Sequence, residues 1–402
     1  MTTASVAVAL AACGGGGSDG GSGNVAAVVQ ASGSSSSCDN ATGRVLQVGP
    51  GKTYAVPSAA AAAARAGDVV AIAAGDYHGD VATWSADGLT ICGVGGRARL
   101  FADGKSAQGK AIWVVGGAGV TIDDVEFHDA KVVDRNGAGI RIEGSSLTIR
   151  NSGFFDNEDG ILGGDNATVT IDRSEFARNG YGDGFSHNLY IGHANLLVVT
   201  ASWFHEAKVG HNFKSRAKET RVENSYFMDG PSGTSSYLCD FPNGGVVTLR
   251  GNAFQKGPMA QNPTAISFGA EGLTWPVNTL ALSHDTVVMT RSGGNFLAVP
   301  AAAQALTLTA NLFAGTGTPT LVSGGYALAS ASMAANLTST ATHVPGADSI
   351  AAPAFWPDAS LLAQAAVVGI PDPAYVRDAP QPFATRPIAG SSRLAGALQA
   401  AP

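Results

Sequence analysis

The chain has 402 residues, a formal net charge of −7, and 14% charged side chains against 45% hydrophobic ones. That balance offers a nucleic-acid backbone no overall attraction. No apolar run reaches the roughly 18 residues a spanning helix needs, and 53 glycines with abundant Val, Ile and Thr fit an all-β protein with many turns.

At the N-terminus, the apolar stretch from Ala4 ends in Leu10-Ala11-Ala12-Cys13 followed by four glycines. This resembles a bacterial lipobox, although the basic segment of a secretory signal does not precede it. The resemblance implies a lipoprotein signal over residues 1–13 with Cys13 as the lipidation site. The protein would then sit in the bacterial cell envelope, lipid-anchored at the outer membrane, since Gly rather than Asp follows Cys13. Residues 14–44 read as a flexible Gly/Ser-rich tether. Of the remaining cysteines, Cys38, Cys92 and Cys239, at most one pair forms, and no CxxC spacing points to zinc.

Folded sequence begins near Val45. VGPGKTYAVPSAAAAAARAGDVVAIAAGDYHG reads as a strand, an Ala-rich helix from Ser58 to Arg65 stopped by Gly67, and a strand from Val69 to Ala73. One short helix ahead of a strand array can cover the open apolar end of a solenoid.

An internal repeat follows. VTIDDVEF, LTIRNSGF, VTIDRSEF, VVTASWF, RVENSYF and VTLRGNAF end at Phe127, Phe154, Phe176, Phe204, Phe227 and Phe254, at intervals of 27, 22, 28, 23 and 27 residues. Each unit holds an alternating strand, a polar pair and an inward aromatic, which predicts a Phe stack along the core. After each Phe comes a polar stretch and a second short strand: GIRIEG, GILGG, HNLYIG, HNFKSRA. Helix-free units of about 20 to 30 residues indicate a parallel β-helix. The pattern loosens from about Leu273, though TLALSHDTVVM and ALTLTANLF still read as coils. The β-helix is expected over residues 45–350, and residues 351–402 form a Pro-rich irregular strap.

VGPGKTYAVPSAAAAAARAGDVVAIAAGDYHG and LTICG resemble the opening of pectate-lyase-like right-handed β-helix proteins. DGFSHNLYIG, VGHNFKSRA, DFPNGG and ISFGAEG resemble a group of bacterial right-handed β-helix repeat proteins from envelope or secreted settings. The resemblance spans about Val45 to Gly272 and implies a right-handed, single-stranded parallel β-helix. That group has no settled activity, so it speaks to fold rather than reaction.

Register between HNLYIG and HNFKSRA sets His187 over His211 and Tyr190 over Lys214. Strand alternation then turns Asn188, Tyr190, Asn212, Lys214 and Arg216 outward, while His187 and His211 share the inward parity of Leu189 and Phe213 unless a bend redirects them. Asp240 lies near the same position one coil on. Splitting a uronate chain by β-elimination needs a cation for the carboxylate, a base for the C5 proton and an acid for the leaving oxygen. Lys214 is the candidate base or charge partner, its basicity lowered by its neighbour Arg216. Arg216 is the candidate neutraliser, and Tyr190 or His211 the proton donor, with His187 beside them. Lyases of β-helix fold that pair a Lys base with an Arg are similar in residue type. Asn188, Asn212, Asp240 and Asn243 are assigned to substrate binding, although Asn188 and Asn212 also fit a structural asparagine ladder.

The expected function is therefore a polysaccharide lyase acting on an acidic, uronate-containing chain, as a monomer with no nucleic-acid partner. A uronan C5-epimerase, a non-catalytic polysaccharide-binding or export scaffold, and a glycoside hydrolase are the alternatives. Hydrolysis would want two carboxylates about 5 to 9.5 Å apart, for which Asp156, Asp159 and Asp183 are the candidates. No cofactor is expected, since a Ca²⁺ site of about 6 to 8 oxygens has no compact loop to supply it.

Overall fold

The computed structural model describes residues 37–364, 366–367, 376–377, 385–386 and 393–398. Cys13, its expected lipidation and nearly all of the tether lie outside the described residues. No described helix is long and apolar enough to cross a membrane.

The chain winds into a right-handed parallel β-solenoid. Each coil gives one strand to each of three parallel ladders. In one coil these are Leu189–Ile191, Leu196–Thr200 and Trp203–His205; in the next, Phe213–Ser215, Glu219–Glu223 and Tyr226–Met228. The ladder that begins with Leu189–Ile191 in that coil is a separate sheet of ten strands, running from Ala82–Trp84 to Thr320–Ser323. Beyond Leu273 the coils continue through Thr279–Ser283, Thr286–Ser292, Ala305–Thr309 and Leu312–Thr316.

Alternation explains the packing. In the strand Thr168–Asp172, Val169 and Ile171 are buried while Thr168 is exposed. Phe127, Phe154, Phe176, Phe204, Phe227 and Phe254 pair in direct register. Their rings stack 4.6 to 5.1 Å apart, with interplanar angles of 12° or less. All six are fully buried, so each contributes on the order of 2–3 kcal/mol of apolar burial.

The polar pair in each repeat makes the corner. Asn151, Arg173, Ala201 and Asn224 take left-handed backbone, φ 46 to 50°, and each is followed by a buried serine. Ser152 N–H donates to Ser174 Oγ, Ser174 N–H to Ser202 Oγ, and Ser202 N–H to Ser225 Oγ, at 3.1 to 3.2 Å. Such a row satisfies backbone donors that the turn takes out of the ladders.

A second buried row occupies the corner before the ten-stranded sheet. Asn157 donates to Asn179, Asn179 to Asn188, and Asn188 to Asn212, all at 2.8 to 3.0 Å, and Asn212 reaches Asp229 at 3.3 Å. Asn188 and Asn212 are fully buried and do not face substrate. Their strands start only at Leu189 and Phe213, so the alternation that turns them outward does not apply at the corner.

The Ala-rich helix spans Pro57–Ala63 and buries Pro57 and Ala60, the latter in the main core. It ends before Arg65 and Gly67, because Ala64 is already extended (ψ 143°) and Arg44 Nη2 donates to the Ala63 carbonyl at 3.0 Å. Cys38 and Cys92 form a disulfide; Cys239 is free and buried. Near the other end, Val344, Ala347, Phe355 and Leu361 cover an outward apolar patch of Tyr226, Met228, Val288 and Leu312.

On the outer face His205, 3% exposed, lies between Glu175 Oε1 at 3.0 Å and Glu206 Oε2 at 2.8 Å. Burial opposes its charge, but the two carboxylates outweigh that and raise its pKa above 6.5. A raised folded pKa gives stability that is complete below the unfolded value of about 6.5 and fades as pH rises through the folded one. The urea midpoint is therefore expected to fall from mildly acidic to alkaline pH, and His205→Gln to flatten that slope; an unchanged slope in the variant would exclude the triad as its source.

Candidate active site

The site is built on the outer face of the ten-stranded sheet. Register aligns Arg141, Leu162, Tyr190, Lys214, Asp240 and Ser267 as one row running along the solenoid axis. Asp240 thus stacks directly on Lys214, and Arg216 follows just past the end of its strand.

Tyr190 stands at the centre. Arg216 Nε donates to its hydroxyl at 2.8 Å, while Lys214 Nζ lies 5.2 Å and the Arg216 guanidinium carbon 5.6 Å from its ring centroid. Arg216 is fixed in three directions, because Nη1 also donates to Asn243 Oδ1 and Nη2 to Glu271 Oε2 at 2.6 Å. Lys214 donates to the other oxygen of Glu271 at 3.2 Å and lies 3.9 Å from Asp240 Oδ2. The expected repulsion between Lys214 and Arg216 is thereby replaced by a shared carboxylate. Burial works against the charge of Glu271, but Arg216 and Lys214 outweigh it and hold its carboxyl below the usual range.

The two histidines leave the strand alternation at the bends before them. Their rings stack at 4.6 Å and 8°, and His187 meets Tyr190 edge-on at 5.4 Å. Gly210 allows this: a Cβ there would stand 1.8 Å from the Ser186 carbonyl oxygen. His187 Nδ1 accepts the His211 N–H at 2.9 Å and His211 Nδ1 accepts the Tyr237 N–H at 3.2 Å, so each neutral ring carries its proton on Nε2. Burial, then nearby cations, pushes both well below the usual histidine range. His211 Nε2 points to Asp240 Oδ2, 3.4 Å away.

Several expected roles change on this geometry. His187 is 1% exposed and its Nδ1 is engaged by backbone; it buttresses Tyr190 instead of meeting substrate. His211, 7% exposed, turns Nδ1 to the Tyr237 N–H and Nε2 toward Asp240, so Tyr190 is the more open of the two candidate proton donors. Asp240, 2% exposed, and Asn243, 5% exposed, are engaged within the protein: Asp240 faces His211 and Lys214, and Asn243 accepts from Arg216. Burial pushes the Asp240 carboxyl up to about 6 against the pull of Lys214 and the Ser267 hydroxyl.

The carboxylates considered for hydrolysis are each engaged within the protein. Asp156 is engaged by Arg178 and Lys208, buried Asp159 accepts the His187 N–H at 2.7 Å, and Asp183 accepts the Phe185 N–H. Among the described residues no three His, Cys, Asp or Glu side chains gather as a metal-holding set. With Glu271 and Asp240 taken up by cations, the donor set does not fit Ca²⁺ and its roughly 6 to 8 oxygens.

Sequence reasoning misses Glu271, 47% exposed at its side chain, and Trp275, whose indole N–H donates to the Arg216 carbonyl at 3.1 Å. Both lie in a loop with no repeat; the only trace was the acid inside ISFGAEG. It also misses Arg141, which with Leu162, Tyr190, His193, Arg216 and Asp165 lines an open depression of about 400 Å³.

Residues 83–257 match the family model described as "Right handed beta helix region". The solved structure of pectate lyase Pel9A superposes with a TM-score of 0.61 at 14% identity, over 90% of this chain and 97% of that one. The alginate lyase from Paenibacillus sp. str. FPU-7 gives 0.55 at 16% identity, over 72% and 97%. No curated protein matches the chain. At these identities the likeness speaks to architecture alone, and by that architecture the chain is a right-handed parallel β-helix protein with the pectate-lyase-like fold.

Proposed function

We propose that the protein is a polysaccharide lyase that splits a uronate-containing chain by β-elimination. The observation that carries this reading is the 2.8 Å hydrogen bond from Arg216 to the Tyr190 hydroxyl beside Lys214, at the edge of an open groove. A phenol that accepts from a guanidinium keeps its own proton to donate, and here it can give that proton to a leaving oxygen. Names of two structural neighbours, a pectate lyase and an alginate lyase, add support, since pectate and alginate are both polyuronates.

In this reading the substrate carboxylate takes the place of Glu271 on Arg216, which draws charge from the uronate and acidifies C5–H. Lys214 is the group placed to take that proton. The electron pair forms the C4–C5 double bond as the C4–oxygen bond breaks, and Tyr190 protonates the departing oxygen. Fixed donors aimed at developing charge are the effective kind, because they need no reorganisation. Asp240, His211 and Asn243 hold the working residues in place. The lipobox-like Leu10–Cys13 segment would keep such an enzyme at the envelope.

The test is incubation with a panel of uronans, followed by ultraviolet absorbance of the unsaturated product. Activity on at least one uronan, lost in Lys214→Ala, is expected. Solvent deuterium incorporation without scission would mark an epimerase, new reducing ends without the chromophore a hydrolase, and retention on immobilised uronan without any change a binding protein; each would overturn the lyase.

A further inference from the structure

The active-site row continues past Tyr190 to a third cation that the elimination chemistry does not use. Leu162 and then Arg141 follow in direct register. Three strand steps of about 4.8 Å separate Arg141 from Lys214, roughly 14 Å along the axis. One pyranose advances a glycan by a distance similar to one such step. Arg141, Leu162, Tyr190 and Arg216 line one depression.

Arg141 also lacks what the other cations of this face have. Lys214 and Arg216 share Glu271. The Nε of Arg141 is buried and donates to no protein acceptor, and its Nη2 reaches the Asn136 carbonyl only at 3.4 Å. Asp159 and Glu143 favour its charge, but neither forms a close ion pair with it. Glu143 is taken by Lys110, and Asp159 is so deeply buried that its carboxyl is pushed well above the usual range. The remaining acid of the depression, Asp165, sits at the rim and accepts the His193 N–H at 2.6 Å. The half-buried guanidinium lines the depression, and its planar fork matches the two-oxygen geometry of a carboxylate.

We propose that Arg141 is a second carboxylate-binding subsite, which holds a uronate two or three sugars away from the one on Arg216 and Lys214. The inference rests on the lyase reading and narrows its substrate to chains with uronates spaced to meet both cations. Uncharged Leu162 gives the intervening sugar an apolar seat. Short oligomers reach one cation only, so affinity depends on length and cleavage falls within the chain.

The experiment compares the full-length protein with Arg141→Gln and Arg141→Lys on uronate oligomers from disaccharide to hexasaccharide, by initial rate and by calorimetric binding. Arg141→Gln should raise KM and Kd about tenfold for the tetrasaccharide and longer, the size of one charge-assisted contact. The disaccharide should be unaffected and kcat held, with part of the loss restored in Arg141→Lys. Unchanged affinity at every length, or an equal loss at every length, would overturn the subsite while leaving the lyase standing. If the unmodified protein neither binds nor cleaves any oligomer, the lyase reading fails first and the subsite with it.

Discussion

Replacing Lys256 with alanine is expected to cost about 3–5 kcal/mol of stability, because it strands a buried charge. Lys256 and Asp229 are both wholly buried, with Nζ 3.4 Å from Oδ2. The ammonium also donates to the Ser235 carbonyl at 3.1 Å, the Ser235 hydroxyl at 3.2 Å and the Ser236 carbonyl. Asp229 in turn accepts the Ser235 hydroxyl, the Gly257 N–H at 2.9 Å and the Asn212 amide at the end of the asparagine row. The pair therefore ties the loop after Met228 to two neighbouring coils. That loop delivers the Tyr237 N–H to His211, so the damage should reach the active site as lost activity. Urea denaturation measures the first effect, and Lys256→Met controls for lost volume, since it too leaves Asp229 unpaired. Lys256→Met combined with Asp229→Asn should recover part of the loss: the amide carbonyl can still accept from Ser235 and Asn212 without the charge, while the Gly257 N–H loses its acceptor. A loss of less than about 1 kcal/mol in Lys256→Ala, the range of exposed pairs, would show that water replaces the ammonium.

What the sequence made legible was whatever recurs. The Phe positions share one residue type in one strand pattern, so their stack could be read before any coordinate. His187–Asn188 and His211–Asn212 recur in the same way, which gave the register that puts Tyr190 over Lys214 and Asp240 in the next coil. Facing was less legible at the strand ends. Asn188 and Asn212 obey the corner, where hydrogen bonds to backbone decide direction, and not the two-residue alternation of a strand. Glu271 was hidden for a different reason. It reaches Lys214 and Arg216 across 57 and 55 residues of sequence from a loop that obeys no period. Arg141 is on a strand and in the row, yet Leu162 between it and Tyr190 interrupts the run of polar residues that would have pointed to it.

The substitutions that decide the site are at Lys214, Arg216 and Glu271, and their expected effects differ in sign. Lys214→Ala should lower kcat on a cleaved uronan by about 10²–10⁴-fold, the usual worth of a positioned proton-transfer group. Arg216→Ala should be comparably severe, because one guanidinium both receives the carboxylate and holds the Tyr190 hydroxyl. Arg216→Lys should rescue little: an ammonium cannot serve Tyr190, Asn243 and Glu271 along three fixed directions at once. The double variant should be scarcely worse than either single one, as happens when residues act as a unit. Glu271 is the opposite case. Its carboxylate occupies both cations where the substrate's must go, so binding has to displace it. Glu271→Gln should lower KM by roughly tenfold, the weight of one charge-assisted contact, and leave kcat nearly unchanged. A collapse of kcat in Glu271→Gln on the scale of Lys214→Ala would mean that the carboxylate orients the two cations during the reaction and that substrate enters beside it instead of in its place.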